Sequence, residues 1–143
     1  WEVQVTTHVP VEKAIEVVSA VVIRNGRLLL TQRLENKDYP LTWECPGGKV
    51  EGNESHHDAL NRELAEEIDC YGREIAMNAL WCGYVTERIF LLMYRAVLTE
   101  TPKPREKQGI GWFTAEEVAG LTMTPGNNMA LPAILEHLRR SRP

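Results

Sequence analysis

GKVEGNESHHDALNRELAEEIDC, residues 48–70, is the stretch on which the fold turns. Ser55 is a good helix N-cap, with Asp58 three residues on as an imperfect capping-box partner. A helix follows to about Asp69. Leu60, Leu64 and Ile68 recur at i, i+4 and i+8 and form its buried stripe. Glu63, Glu66 and Glu67 share one face beside that stripe, where like charges at helical spacing repel. Taken alone, they also fit a solvated acidic face. The residues ahead of the helix shift the balance: Gly47 and Gly48 allow close backbone approach, Gly52 allows another unusual turn, and Glu54 lies just before the cap. A loop with free carbonyls against a face of carboxylates makes an oxygen-rich cage. Such a cage suits a hard divalent cation, Mg²⁺ or Mn²⁺, which would remove the repulsion and bridge to phosphate oxygens.

Working outward, Glu16–Ile23 is short and β-branched and reads as a buried strand. Asn25-Gly26 is a strong hairpin signal, and Arg27–Gln32 is the returning strand. Residues 34–41 form a loop, Trp43–Cys45 a brief strand, and Pro46-Gly47-Gly48 a turn. Beyond the helix, Ile75–Tyr84 and Ile89–Leu98 read as two strands, the second apolar on both faces and therefore central. Thr101–Gln108 is a charged loop and Gly111–Phe113 a short strand. Thr114 caps a short helix with Glu117 as its box partner. Asn127 or Asn128 starts a last helix to about Arg140, with Pro132 in about its first turn, where proline is tolerated. Residues 1–13 read as an extended arm or an extra edge strand. The order predicts an α/β fold, a mixed sheet between helices, in one domain spanning residues 1–143.

The composition, with 43% hydrophobic and 25% charged residues in 143, is that of an ordinary globular domain. A net charge of −4 without a long basic run argues against a general nucleic-acid surface. No apolar run reaches the roughly 18 residues that span a bilayer. The sequence opens at Trp1 and shows no signal peptide. Cys45, Cys70 and Cys82 are odd in number and form no CxxC pair. They are expected to be buried or semi-buried free thiols in a reducing cytosol rather than disulfides or zinc ligands.

Gly48-x5-Glu54-x7-Arg62-Glu63-Leu64-x-Glu66-Glu67 resembles the Nudix box, GX5EX7REUXEEXGU with U a bulky aliphatic. Asp69 stands where the family has its second glycine, and Cys70 at the last U. The resemblance implies the Nudix α/β/α sandwich and a Mg²⁺-dependent attack of water on a diphosphate linked to another moiety. It further implies that Glu63, Glu66 and Glu67 hold the cation, helped by the Gly47 carbonyl, and that Arg62 pairs with Glu54 to hold the loop on the helix. "WECPGGKVEGNES" is similar to MutT-type enzymes, which cleave nucleoside triphosphates to monophosphate and pyrophosphate, with 8-oxo-dGTP as the MutT preference and pyrimidine nucleotides such as dCTP that of related enzymes. By the same resemblance Arg33 lies near phosphate and base, Glu106 assists metal or base catalysis, and Asn127 in "TPGNN" reads the base edge. Gly48, Lys49 and Tyr84 complete the expected substrate contacts.

Each has a plainer alternative. Arg33 also suits an exposed strand end, Asn127 a helix cap, Glu106 a solvated loop, and Trp81, Tyr84 and Phe90 core packing. His56 and His57 read as surface residues. Other Nudix activities, on ADP-ribose, NDP-sugars, dinucleoside polyphosphates or capped RNA, also fit the box, as does a non-catalytic binding module. The expected partner is a small-molecule nucleotide, with no nucleic acid and no membrane, for a cytoplasmic monomer or homodimer.

Overall fold

The computed structural model describes residues 14–141; the expected arm at 1–13 lies outside them. β1 (Ile15–Arg24) and β2 (Arg27–Gln32) are joined by Asn25 and Gly26, with φ of 53° and 74°. Both are left-handed, as a tight hairpin requires. β3 (Trp43–Glu44) pairs with β2, and β4 (Gly47–Lys49) with β1. After α1 (His56–Ile68), β5 (Gly72–Ile75) and β6 (Trp81–Thr86) both pair with β7 (Ile89–Leu98). β8 (Gly109–Phe113) lies on β2, and α2 (Ala115–Ala119) and α3 (Pro125–Arg140) follow. β1 and β7 run parallel, from Ile15 opposite Ile89 to Val22 opposite Ala96. The other strand pairs are antiparallel, so the sheet is mixed.

Alternation along β1 builds two cores. Val18, Ala20 and Val22 face α1 and pack with Leu60, Leu64, Ile68 and Leu92. Val21 faces the opposite layer and packs with Met93, Val118, Ala130, Ile134 and Leu138 of β7, α2 and α3. The result is the expected α/β/α sandwich. Leu60, Leu64 and Ile68 are wholly buried, each contributing about 2 kcal/mol by leaving water. This stripe seats α1 so that its carboxylate face borders β4. No helix among the described residues is long and apolar enough to cross a membrane.

The structure corrects several expectations. Pro46–Gly48 is not simply a turn: Gly47 and Gly48 are strand residues of β4, opposite Ser19 and Val18. A Cβ at Gly47 would strike the Val18 carbonyl, so glycine here serves close strand approach rather than chain reversal. Ile75–Tyr84 is two strands rather than one, because β5 and β6 meet separate stretches of β7. The last helix starts at Pro125 with Thr124 as N-cap, so Asn127 does not cap it. Pro132 therefore lies inside α3 rather than in its first turn. Cys45 and Cys70 are buried, but Cys82 is exposed. His56 is no idle surface residue: its Nδ1 lies 2.8 Å from the Tyr94 hydroxyl and its Nε2 3.0 Å from Glu16.

Candidate active site

Ser55 caps α1 by accepting the Asp58 N–H, which sets Glu54 within reach of Arg62, two turns along. Arg62 donates twice to Glu54, from Nε (2.6 Å) and Nη2 (3.0 Å). Nη2 also donates to the Lys49 carbonyl (2.8 Å), and Nη1 to Glu63 (2.9 Å) and Glu66 (3.4 Å). One guanidinium thus fastens the 49–54 loop to the helix, using the fork geometry that lysine lacks. The hydrogen bond from Arg62, aided by the Glu51 N–H, holds the Glu54 carboxyl below its ordinary range. Gly48 lies flat against Glu63, where a Cβ would run into the carboxyl group. The Lys49 side chain itself is exposed.

Glu67 turns inward and accepts the Gly47 N–H at 3.2 Å. Burial pushes its pKa up to about 9, with Glu63, Glu106 and Glu44 adding repulsion against the help of Gly47. Burial also raises Glu63, opposed by Arg62. Glu63 and Glu66 point to Arg62 while Glu67 points to Gly47, and no three acidic, histidine or cysteine side chains converge on one point among the described residues. The donor set still fits a hard cation: Glu67 feels the charges of Glu63 and Glu106, and Glu63 that of Glu66, so the four carboxylates repel one another in turn. Gathering them about an ion requires Glu63 and Glu66 to turn from Arg62.

Two cavities adjoin this patch. The first, about 110 Å³, is lined by Arg33, Glu44, Glu67, Glu106 and Gln108 among others. The second, about 260 Å³, shares Arg33 and Glu44 and adds Tyr39, Val85, Leu91 and Asn127. Arg33 is braced by the Asp38 carbonyl (2.6 Å) and Glu44 (3.2 Å). Burial raises the Glu44 carboxyl, and Arg33 lowers it.

The structure therefore brings Arg33, Glu67, Glu106 and Asn127 to adjoining cavities, but Asn127 is not held free. Its Oδ1 accepts the Cys45 N–H (2.9 Å) and its Nδ2 donates to the Thr124 hydroxyl (3.0 Å). One amide hydrogen and one lone pair are left. Tyr84 does not line the Asn127 cavity: its ring meets Phe90 edge-on at 4.8 Å, on the α1 side of the sheet, and Val85 faces the cavity instead. Glu44, Tyr39 and Gln108 escaped sequence reasoning. Only Glu44 carried a signal, a charge on a short strand otherwise expected to pack.

The description NUDIX domain matches residues 14–134. The CTP pyrophosphohydrolase of Escherichia coli K12 is 36% identical over 92% of this chain and 98% of its own length. The 8-oxo-dGTP diphosphatase of Haemophilus influenzae is 47% identical over 48% of each chain. Among solved structures, a MutT from the study of Aliivibrio salmonicida and Vibrio cholerae superposes with a TM-score of 0.78 at 26% identity, over 87% of this chain and 99% of that one. The E. coli ORF135 protein gives 0.73 at 31% identity, over 92% and 94%.

Proposed function

The chain belongs to the Nudix family and is a hydrolase of phosphoric anhydride bonds, and from that premise we propose that it cleaves a (deoxy)nucleoside triphosphate to the monophosphate and pyrophosphate with Mg²⁺. The carrying observation is that the two cavities share Arg33 and Glu44. A nucleotide spanning them sets its base beside Tyr39 and Asn127 and its phosphates toward Glu67 and Glu106.

Glu63, Glu66, Glu67 and Glu106 are the oxygen donors that hold the cation, with the Gly47 carbonyl beside them. Bound there, Mg²⁺ neutralises phosphate charge and lowers the pKa of the attacking water. Arg33 supplies a fixed positive charge to the phosphates, its guanidinium already braced and so costing little reorganisation. Arg62 and Glu54 touch no substrate in this scheme; they hold the 49–54 loop against the helix. Asn127 offers its remaining donor and acceptor to the base edge.

The relatives' names point to two bases, a cytosine and an oxidised guanine. A Mg²⁺-dependent panel of CTP, dCTP, 8-oxo-dGTP, dGTP and ADP-ribose, with products separated by anion exchange, distinguishes them. Pyrophosphate release from a triphosphate supports the proposal and names the base. Turnover of ADP-ribose alone would overturn it.

A further inference from the structure

The carbonyls at the end of α1 are taken up by a segment some 35 residues downstream in the chain. Asp69 turns the backbone left-handed (φ 58°, ψ 40°). The Lys103 N–H then donates to the Ile68 carbonyl (2.8 Å), and the Arg105 N–H to the Glu67 carbonyl (3.0 Å). Gln108 completes the junction with the two ends of one amide. Its Nε2 donates to the Glu67 carbonyl (2.9 Å), and its Oε1 accepts the Glu106 N–H (2.9 Å). The residue is buried. Between them Lys107 adopts a left-handed φ of 62°, a conformation unfavourable for lysine that folds the Gln108 amide back onto residue 106. Glu106 and Glu67 consequently line the same small cavity.

We propose that Gln108 is the positioning residue that fixes Glu106 beside Glu67, so that loop and helix carboxylates meet the cation together. This rests on the proposed role of Glu106 and Glu67 as cation-binding groups. Chemistry restricts the position to an amide. Glutamate supplies no donor for the Glu67 carbonyl, methionine supplies neither group, and asparagine carries both on a shorter arm. Losing the Oε1 contact takes the Glu106 N–H from its side-chain acceptor, while the Glu67 carbonyl keeps the Arg105 N–H.

The experiment is a double-mutant cycle on Gln108→Met and Glu106→Gln, with two readouts. The first is Mn²⁺ affinity without nucleotide, by electron paramagnetic resonance. The second is kcat and KM on the triphosphate that the panel identifies. Gln108→Met is expected to weaken Mn²⁺ binding about 3- to 10-fold and lower kcat about tenfold, with KM within about twofold. Glu106→Gln should do at least as much, and the double variant no more than Glu106→Gln alone, since both act through one carboxylate. Wild-type ion affinity and kcat in Gln108→Met, beside an impaired Glu106→Gln, would overturn the positioning role alone. So would effects that multiply in the double variant. A silent Glu106→Gln would remove the underlying role of Glu106 and the proposal with it. Should Gln108→Met fail to fold, Gln108→Asn carries the same cycle, keeping the neutral amide on an arm one methylene too short to bridge Glu106 and Glu67.

Discussion

The carboxylate end and the base end of the site lie side by side and share Arg33 and Glu44, yet they are built differently. The first is nearly one continuous piece, residues 47–67, wired by Arg62 within a loop and a helix. The second is gathered from β1, β3, the 33–42 loop, β6, β7 and α3, and its central bond joins Cys45 to Asn127, 82 residues apart. At the carboxylate end, buried charges oppose folding, so activity and stability should trade against each other. At the base end the Asn127 amide is buried and bonded at both ends, so the two should fall together.

The largest effect expected at the carboxylate end is from Glu66→Gln and Glu67→Gln. Each should lower kcat more than about 100-fold at saturating Mg²⁺, measured as pyrophosphate release. Turnover surviving in both would remove the cation role. Gly48→Ala should lower kcat/KM about 30-fold and stability by about 1–3 kcal/mol, since the new methyl must displace Glu63. A variant with normal kinetics would show that Glu63 can relocate freely.

Asn127→Ala tests the other half of the contrast. It strands the Cys45 N–H and the Thr124 hydroxyl, so urea unfolding should show a loss of about 2–3 kcal/mol, with KM raised several-fold. A raised KM at unchanged stability would mean that the amide serves substrate alone.

Glu67 supplies the pH test. Its folded pKa, about 9 against an ordinary 4.5, means that the folded state binds the proton more tightly than the unfolded chain. Metal-free stability should therefore decline as pH rises from about 4.5 toward 9. Glu67→Gln should flatten that decline and stabilise the metal-free protein at pH 7.5 by something on the order of 1–2 kcal/mol. Thermal melts at several pH values, with and without Mg²⁺, check this, and a wild-type Tm that rises over that range would contradict it. The smallest effect is at Asp69, whose φ of 58° suits glycine better. Asp69→Gly should add about 0.5–1 kcal/mol with activity unchanged.

The same contrast separates what could be read ahead from what could not. The box, its helix, the Ser55 and Thr114 caps and the Asn25-Gly26 hairpin rest on interactions between residues a few positions apart, and those are visible in spacing. The single strand expected over Ile75–Tyr84 failed because an apolar run does not show where its partner breaks it. β5 and β6 are separated by their different registers on β7. Asn127 was expected to cap α3 or read a base, and its residue type permits both. Its actual bonds depend on β3 running beside the segment before α3, where the Trp43 N–H donates to Thr122 and Thr124 donates back to Trp43. Tyr84 and Val85 are neighbours on a strand, and the face each presents follows from the pairing of β6 with β7.

The sequence by itself determined the helix with its carboxylate face and the loop that Arg62 binds to it, and the reaction class followed from the resemblance of that stretch to the Nudix box. The helix and its loop are set by contacts whose geometry a helix repeats wherever it forms. Only the tertiary structure decided that Glu44 joins Arg33 between the two cavities, that Asn127 is tied to Cys45, and that Gln108 links Glu106 to Glu67. Each of those joins segments of chain whose separation has no periodicity to betray it, and whose meeting depends on how strands and helices pack.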